Sequence, residues 1–157
     1  MKKINYKSLL KSVIPPLIAG GVGSMFVNLD YVDYDKLILP DLHPPKIVFP
    51  IAWTIVYVSI IVATYIFDTN ETNQEIRQKG MINYYVNMFI NLMWNVAFFG
   101  LGKLTLGLII IVILYISCLM IYLIYRKTKK IAGNLIIPYL AWLLVAFYLN
   151  ICIVFLN

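Results

Sequence analysis

Four asparagines, Asn83, Asn87, Asn91 and Asn95, recur at every fourth position in a stretch otherwise rich in Met, Ile, Val, Phe, Leu, Tyr and Trp. On an α-helix that spacing sets four carboxamides along one slowly drifting stripe, with Trp94 at its border. In lipid each carboxamide needs a partner, and two roles are open to the stripe. It can tie helices together, at about 0.6 kcal/mol per interhelical hydrogen bond on average. Alternatively, some of its amides line a hollow and grip the polar edge of a ligand. A second polar and aromatic face comes from Tyr139, Trp142, Ala146 and Asn150, spaced three, four and four. Ala146 leaves room beside Trp142, as a pocket wall needs. Trp53 and Tyr57, one turn apart just after Pro50, supply a third face. Indoles and amides together suit a flat apolar ligand with a polar rim; the same rings also suit a belt at headgroup level.

Other chemistry is poorly represented. The chain has no nucleophile–base pair, no phosphate-binding loop and no cluster with metal-ligand spacing, so conventional catalysis is not expected and no cofactor is required. Cys118 and Cys152 lie deep in apolar runs, without a CxxC pair or a Cys/His group, and read as small core residues. His43, the single histidine, stands in the run His43-Pro44-Pro45 and reads as a solvated loop residue; axial ligation of a metal or haem is its other role. No Asp, Glu, Lys, Arg or His lies well inside an apolar stretch. That speaks against proton- or ion-coupled transport, including the short multidrug antiporters that depend on a membrane carboxylate.

The elements that must position these groups follow from composition. Of 157 residues, 62% are apolar and 13% charged, the latter about half the share in a soluble domain. A hydrocarbon layer of about 30 Å needs about 20 helical residues to cross it. Five stretches meet that length: Leu9–Leu29, Ile47–Phe67, Met81–Leu101, Leu104–Tyr125 and Leu135–Leu156. The expectation is an all-α integral membrane protein, a single domain over residues 1–157 built as a five-transmembrane-helix bundle. The Met1-Lys2-Lys3 start resembles a signal peptide, but Pro15-Pro16 interrupts the apolar run and no A-x-A site follows, so a retained first span is expected. Gly20, Gly21, Gly23 and Ser24 fit close helix packing. The turn Gly100-Leu101-Gly102-Lys103 makes the third and fourth helices antiparallel neighbours.

The net charge of +6 does not mark a nucleic-acid surface, because the basic residues sit in short clusters beside the spans. Ten of them (Lys2, Lys3, Lys7, Lys11, Arg77, Lys79, Arg126, Lys127, Lys129 and Lys130) fall on one side, against Lys36, Lys46 and Lys103 on the other. The positive side faces the cytoplasm, which places the amino terminus inside. The loop Asp30–Lys46, rich in Pro, Asp and Tyr, then lies outside.

Several motifs carry a family resemblance. These are Tyr34-Asp35-Lys36-Leu37, His43-Pro44-Pro45, Val48-Phe49-Pro50 and Trp53-Thr54-x-x-Tyr57, then Asn91-x-x-Trp94 with Phe98-Phe99-Gly100. Pro138-Tyr139-Leu140-Ala141-Trp142, Leu149-Asn150 and the glycine-rich end of the first helix through Ser24-Met25-Phe26 complete the set. In this order, over nearly the full length, the chain resembles the translocator protein family, also called tryptophan-rich sensory proteins or peripheral benzodiazepine receptors. The resemblance implies a five-helix bundle that dimerises, with a cavity closed by the first loop. That cavity would bind porphyrins, haem-like tetrapyrroles and benzodiazepine-type ligands, with sterols in some members. On this basis Trp53, Asn91, Trp94, Trp142 and Ala146 line the cavity, while Ser24, Tyr34, Pro44, Phe49 and Tyr57 form wall and lid.

The expected function is therefore a homodimeric membrane receptor or carrier for tetrapyrroles and other planar hydrophobic molecules. Its ring system would lie between Trp53, Trp94 and Trp142, with Asn91 donating to a polar edge. Two alternatives accompany it. Some bacterial members resemble photo-oxidases that degrade porphyrin in light with tryptophans matching Trp53 and Trp142, and a sensory scaffold acting through partner proteins is the other. The chain departs from the family at Asp33, Leu42 and Ile47, where tryptophans are common. Fewer rings weaken tetrapyrrole stacking, at roughly 0.5–1.5 kcal/mol per offset pair. Beyond Tyr148 no Arg or Lys follows, so the sterol motif of animal members is incomplete, and a prokaryotic cell membrane is the expected location.

Overall fold

The computed structural model describes residues 4–27 and 36–157. Helices dominate it: α1 (Tyr6–Val27), α2 (Val48–Asn70), α3 (Gln74–Asn95), α4 (Leu104–Thr128), a short α5 (Lys130–Asn134) and α6 (Ile137–Leu156). A π-helical turn, Val96–Gly100, closes α3. Tyr34, expected in the lid, lies outside the described residues.

Each helix begins and ends for local reasons. The Asn5 side chain accepts the Ser8 N–H at 3.1 Å and caps α1. Pro15 and Pro16 then sit inside α1 without ending it, because lipid supplies no alternative partner for a backbone released from helix. Pro44 and Pro45 stiffen the approach to α2, whose first turns start three residues later. Asn73 caps α3 by accepting the N–H groups of Glu75 and Ile76 at 3.0 and 3.1 Å. The turn into α4 depends on Gly102, whose φ of 63° favours a residue without a Cβ.

The long rods pack in a ring: α1 touches α2 and α3, α3 touches α4, α4 touches α6, and α6 returns to α2. Their interior is aromatic and aliphatic, with Tyr84, Tyr125, Tyr139, Phe67 and Phe98 fully buried. Three buried hydroxyls find partners within the ring, whereas Ser117 Oγ has none among the described residues. Tyr84 donates to the Ser12 carbonyl of α1 at 2.5 Å, and the Tyr125 and Thr64 hydroxyls pair at 3.2 Å. The outer surface is apolar instead, with Leu10, Leu17, Ile51, Ile55, Ile109 and Ile116 all exposed, which a water-facing surface would not tolerate.

Four helices are long and apolar enough to cross a bilayer: α1, α2, α4 and the α5–α6 run Lys130–Leu156. The chain is therefore an all-helical integral membrane protein. The α3 helix is not among these four, since Glu75, Arg77 and Lys79 charge its first turns and four asparagines dilute the rest. It begins at Gln74, seven residues before the expected start. An apolar-length criterion misses a polar helical extension. The α2 helix runs three residues past its expected end, to Asn70, and carries Asp68 into a buried position.

The two ends of the bundle are distinct. At one end the Asn5 N–H donates to the Tyr65 hydroxyl at 3.2 Å, Thr128 donates to Glu71, and Lys129 donates to the Asn70 side chain at 3.1 Å. That end gathers Lys7, Lys11, Arg126, Lys127, Lys129 and Lys130. At the other end Asn157 clamps the first loop, accepting the Ile38 N–H at 2.9 Å and donating to the Ile38 carbonyl at 3.1 Å.

Candidate functional site

The asparagine stripe divides by partner. Asn83 and Asn95 bond back to their own helix, donating to the Lys79 and Asn91 carbonyls at 3.1 Å each. Asn87 and Asn91 face inward and are fully buried. Asn87 donates to the Leu114 carbonyl of α4 at 3.3 Å, and its Oδ1 has no partner among the described residues. Asn91 joins three helices: it accepts from the Tyr57 hydroxyl of α2 and donates to the Tyr139 hydroxyl of α6, both at 3.1 Å. Both amides thus tie helices together in this structure. Asn91, expected as a direct donor to ligand, instead fixes two tyrosines from beneath.

Those tyrosines support a ring cluster. Trp53 lies 5.4 Å from Tyr57 and 6.3 Å from Tyr139, centroid to centroid. Trp142 meets Trp53 edge to face at 6.4 Å and Phe49 at 5.7 Å. The sequence places these rings correctly: Trp53 and Tyr57 share one face of α2, and Tyr139 and Trp142 share one face of α6. Gly20 of α1 lets Tyr57 approach, since a Cβ there would stand 2.8 Å from the Tyr57 ring. The indole N–H of Trp142 is buried and has no hydrogen-bond partner among the described residues. A buried donor left unpaired costs about 1–3 kcal/mol, which an acceptor on a bound molecule would recover.

The remaining expected residues fall into three groups. Trp94 is buried on α3, donates its indole N–H to Asn150 Oδ1 at 3.2 Å, and stacks on Phe98 at 5.4 Å. Asn150 donates in turn to the Ala146 carbonyl at 2.7 Å, so Ala146 and Trp94 belong to one neighbouring network of α3 and α6. Trp94 therefore ties α3 to α6, and its N–H is already occupied. Ser24 is exposed on α1 and donates to the Gly21 carbonyl at 2.8 Å. Pro44 is half-buried in the loop that leads to Phe49. In the same loop His43 Nδ1 lies 2.9 Å from the Pro40 carbonyl; a carbonyl only accepts, so that nitrogen carries the proton.

One geometric expectation changes. A slab between Trp53 and Trp142 would need a gap, and the two rings touch directly, edge to face, at 83°. The Trp142 N–H is buried, and Phe49 packs edge to face on the same indole. Sequence reasoning also left Tyr139 and Asn150 out of the site. Their i, i+3 and i, i+8 relation to Trp142 was visible, but their partners on α3 stand 48 and 56 residues away in the chain.

Comparison with known proteins agrees with this architecture. The model of the TspO/MBR family matches residues 12–156. A tryptophan-rich protein TspO of Archaeoglobus fulgidus is 33% identical over 159 residues, covering 98% of this chain and 99% of its own. A protein of the same name from Chlorobaculum tepidum is 33% identical, covering 79% and 78%. A translocator protein homolog of Schizosaccharomyces pombe is 32% identical, covering 80% and 77%. A match spanning nearly the whole bundle, including all three tryptophans, leaves one conclusion: the chain belongs to the TspO/MBR family.

Proposed function

We propose that this chain is a membrane receptor or carrier for planar hydrophobic molecules, chiefly porphyrins and haem-like tetrapyrroles. Five rods cross the bilayer in this reading: α3 spans as well, with Asn87 and Asn91 bonded to its neighbours, and the basic end faces the cytoplasm. The observation that carries the reading is the unpartnered Trp142 N–H at the centre of rings from α2 and α6, with Phe49 leading in. The ligand's ring plane displaces Phe49 and packs on Trp142 and Trp53, and a carboxylate or carbonyl of its rim accepts the indole proton. Burial of apolar area at about 25 cal/mol per Å² gives most of the affinity. Asn91 acts indirectly, holding Tyr57 and Tyr139 against Trp53.

Names of relatives support a sensory or translocating role, one of them being called a tryptophan-rich sensory protein and another a translocator protein homolog. A homodimer accompanies the proposal. Gly20 is taken up against Tyr57 inside the chain, whereas a Cβ at Gly21 would meet nothing within 4 Å, so Gly21 marks the α1 face open to a second copy. Titrating protoporphyrin IX into detergent-solubilised protein and following the Soret band tests the site. Saturable binding is expected in the wild type and a loss of at least about tenfold in affinity in Trp53→Ala/Trp142→Ala. Equal affinity in the two would sink the proposal.

A second reading rests on the direct Trp53–Trp142 contact, which favours light-dependent oxidation of a bound porphyrin by molecular oxygen. It requires pigment loss in light and oxygen that depends on Trp142. Equal loss without protein excludes it.

A further inference from the structure

Asp68 is the one carboxylate buried among the described residues, at 7% exposure, and it stands two residues before the end of α2. No hydrogen bond or ion pair reaches it among the described residues. Three cations of that end of the bundle are engaged with other groups. Lys79 pairs with Glu75 at 2.8 Å, Lys129 donates to Asn70 at 3.1 Å, and Arg126 donates to Tyr122 and Asn134 at 2.8 and 3.1 Å. A buried carboxylate is retained where something positive comes to it.

Its surroundings are aromatic. Asp68 lies one turn after Thr64 and so faces the seam of α2, α3 and α4. Thr64, one turn earlier on the same face, pairs with the Tyr125 hydroxyl at 3.2 Å, and Asp68 stands within electrostatic reach of Tyr85 and Tyr125. Phe67 and Tyr125 stack at 4.1 Å beside it, and Tyr84 and Tyr85 lie 5.5 Å apart. Tyr85 is 39% exposed, which leaves a route in from the bilayer surface. A divalent metal is a poor occupant, because the described residues hold no group of three or more His, Cys, Asp or Glu and hard cations need six or more oxygens. One carboxylate beside electron-rich rings instead matches an organic ammonium, which gains from ring faces what it loses in hydration.

We infer that Asp68, with Tyr85 and the Phe67–Tyr125 stack, forms a binding site for a primary or quaternary ammonium group at the basic end of the bundle. The ammonium can come from a lipid headgroup or from a soluble amine. Thermal unfolding of the full chain in detergent, with ethanolammonium chloride or choline chloride compared with KCl at equal ionic strength, provides the test. A wild-type Tm rise of about 3 °C or more beyond KCl is expected, falling to about a third or less in Asp68→Asn and in Tyr85→Leu. An equal rise with KCl, or an undiminished rise in Asp68→Asn, overturns the inference. Should Asp68→Asn fail to fold, an undiminished rise in Tyr85→Leu overturns it instead. Nanodiscs with and without phosphatidylethanolamine, at constant phosphatidylglycerol, separate the sources. Protection by the lipid that soluble ethanolammonium cannot add to assigns the site to a headgroup, and protection by the soluble amine alone assigns it to a free ligand.

Discussion

Asn91→Leu isolates the junction on which the ring cluster stands. Leucine keeps the branched four-heavy-atom outline of asparagine, so the change deletes hydrogen bonds without opening a cavity, although its bulkier methyl groups add some overpacking. Two are lost, from the Tyr57 hydroxyl and to the Tyr139 hydroxyl. In membrane proteins such bonds are worth about 0.6 kcal/mol on average and about 1.7 at most, so the pair contributes about 1–3 kcal/mol. In a chain of this length each kcal/mol moves Tm by about 2–4 °C, which gives an expected fall of roughly 2–12 °C. Thermal unfolding at a fixed scan rate, followed by tryptophan emission, reads it. A partner control sharpens the result. Adding Tyr139→Phe removes the hydroxyl that Asn91→Leu has orphaned, so the double variant should lose less than the two single losses combined. Full additivity, or a wild-type Tm in Asn91→Leu, would refute the tie between α2, α3 and α6.

Other expectations follow from single contacts. Gly80→Ala would place a Cβ 2.3 Å from the Phe67 ring, which is fully buried and stacked on Tyr125; a loss of about 1–3 kcal/mol is expected by denaturation in mixed micelles. Asn157→Ala removes both bonds to Ile38, so the loop before Phe49 should open more readily. Stopped-flow mixing with protoporphyrin IX should then show faster association and dissociation, with Kd changed less than either rate. The Glu71 carboxylate is held below its ordinary 4.5, first by the Thr128 hydroxyl and then by the Asn73 N–H. A lowered value stabilises the fold at every pH above 4.5 and is lost as pH falls through the folded-state value. Thr128→Val should therefore flatten the acid limb of a Tm-versus-pH curve below about pH 4.5, and an unchanged limb would assign acid sensitivity to another group.

What the sequence made legible depended on which physical signal each part carried. Length without charge located α4 at its first residue, Leu104, and α2 to within one residue at its start. The same signal failed at Gln74–Gly80 and Lys130–Asn134, because those turns are helical and polar, held by the Asn73 cap and by packing on α4. The apolar criterion also stopped α2 at Phe67, since Asp68 follows. Only the folded chain shows that carboxylate turning inward. Spacing on one helix correctly grouped Trp53 with Tyr57 and Tyr139 with Trp142. It could not say that Asn91 is shared between two hydroxyls, or that Trp94 is matched to Asn150, because those are relations between helices. The π-helical turn Val96–Gly100 left no trace in composition, and its effect is to seat Gly100 against Phe26 of α1.

The central claim is that the Phe49–Trp53–Trp142 cluster opens to hold a flat ligand whose rim accepts the Trp142 indole proton. A structure of the full chain in lipid nanodiscs with protoporphyrin IX tests it most directly. The expected result is the macrocycle in van der Waals contact with Trp53 and Trp142, Phe49 displaced, and a carboxylate within about 3 Å of Trp142 Nε1. A macrocycle bound elsewhere, or those rings still edge to face with the pigment present at saturation, would contradict it.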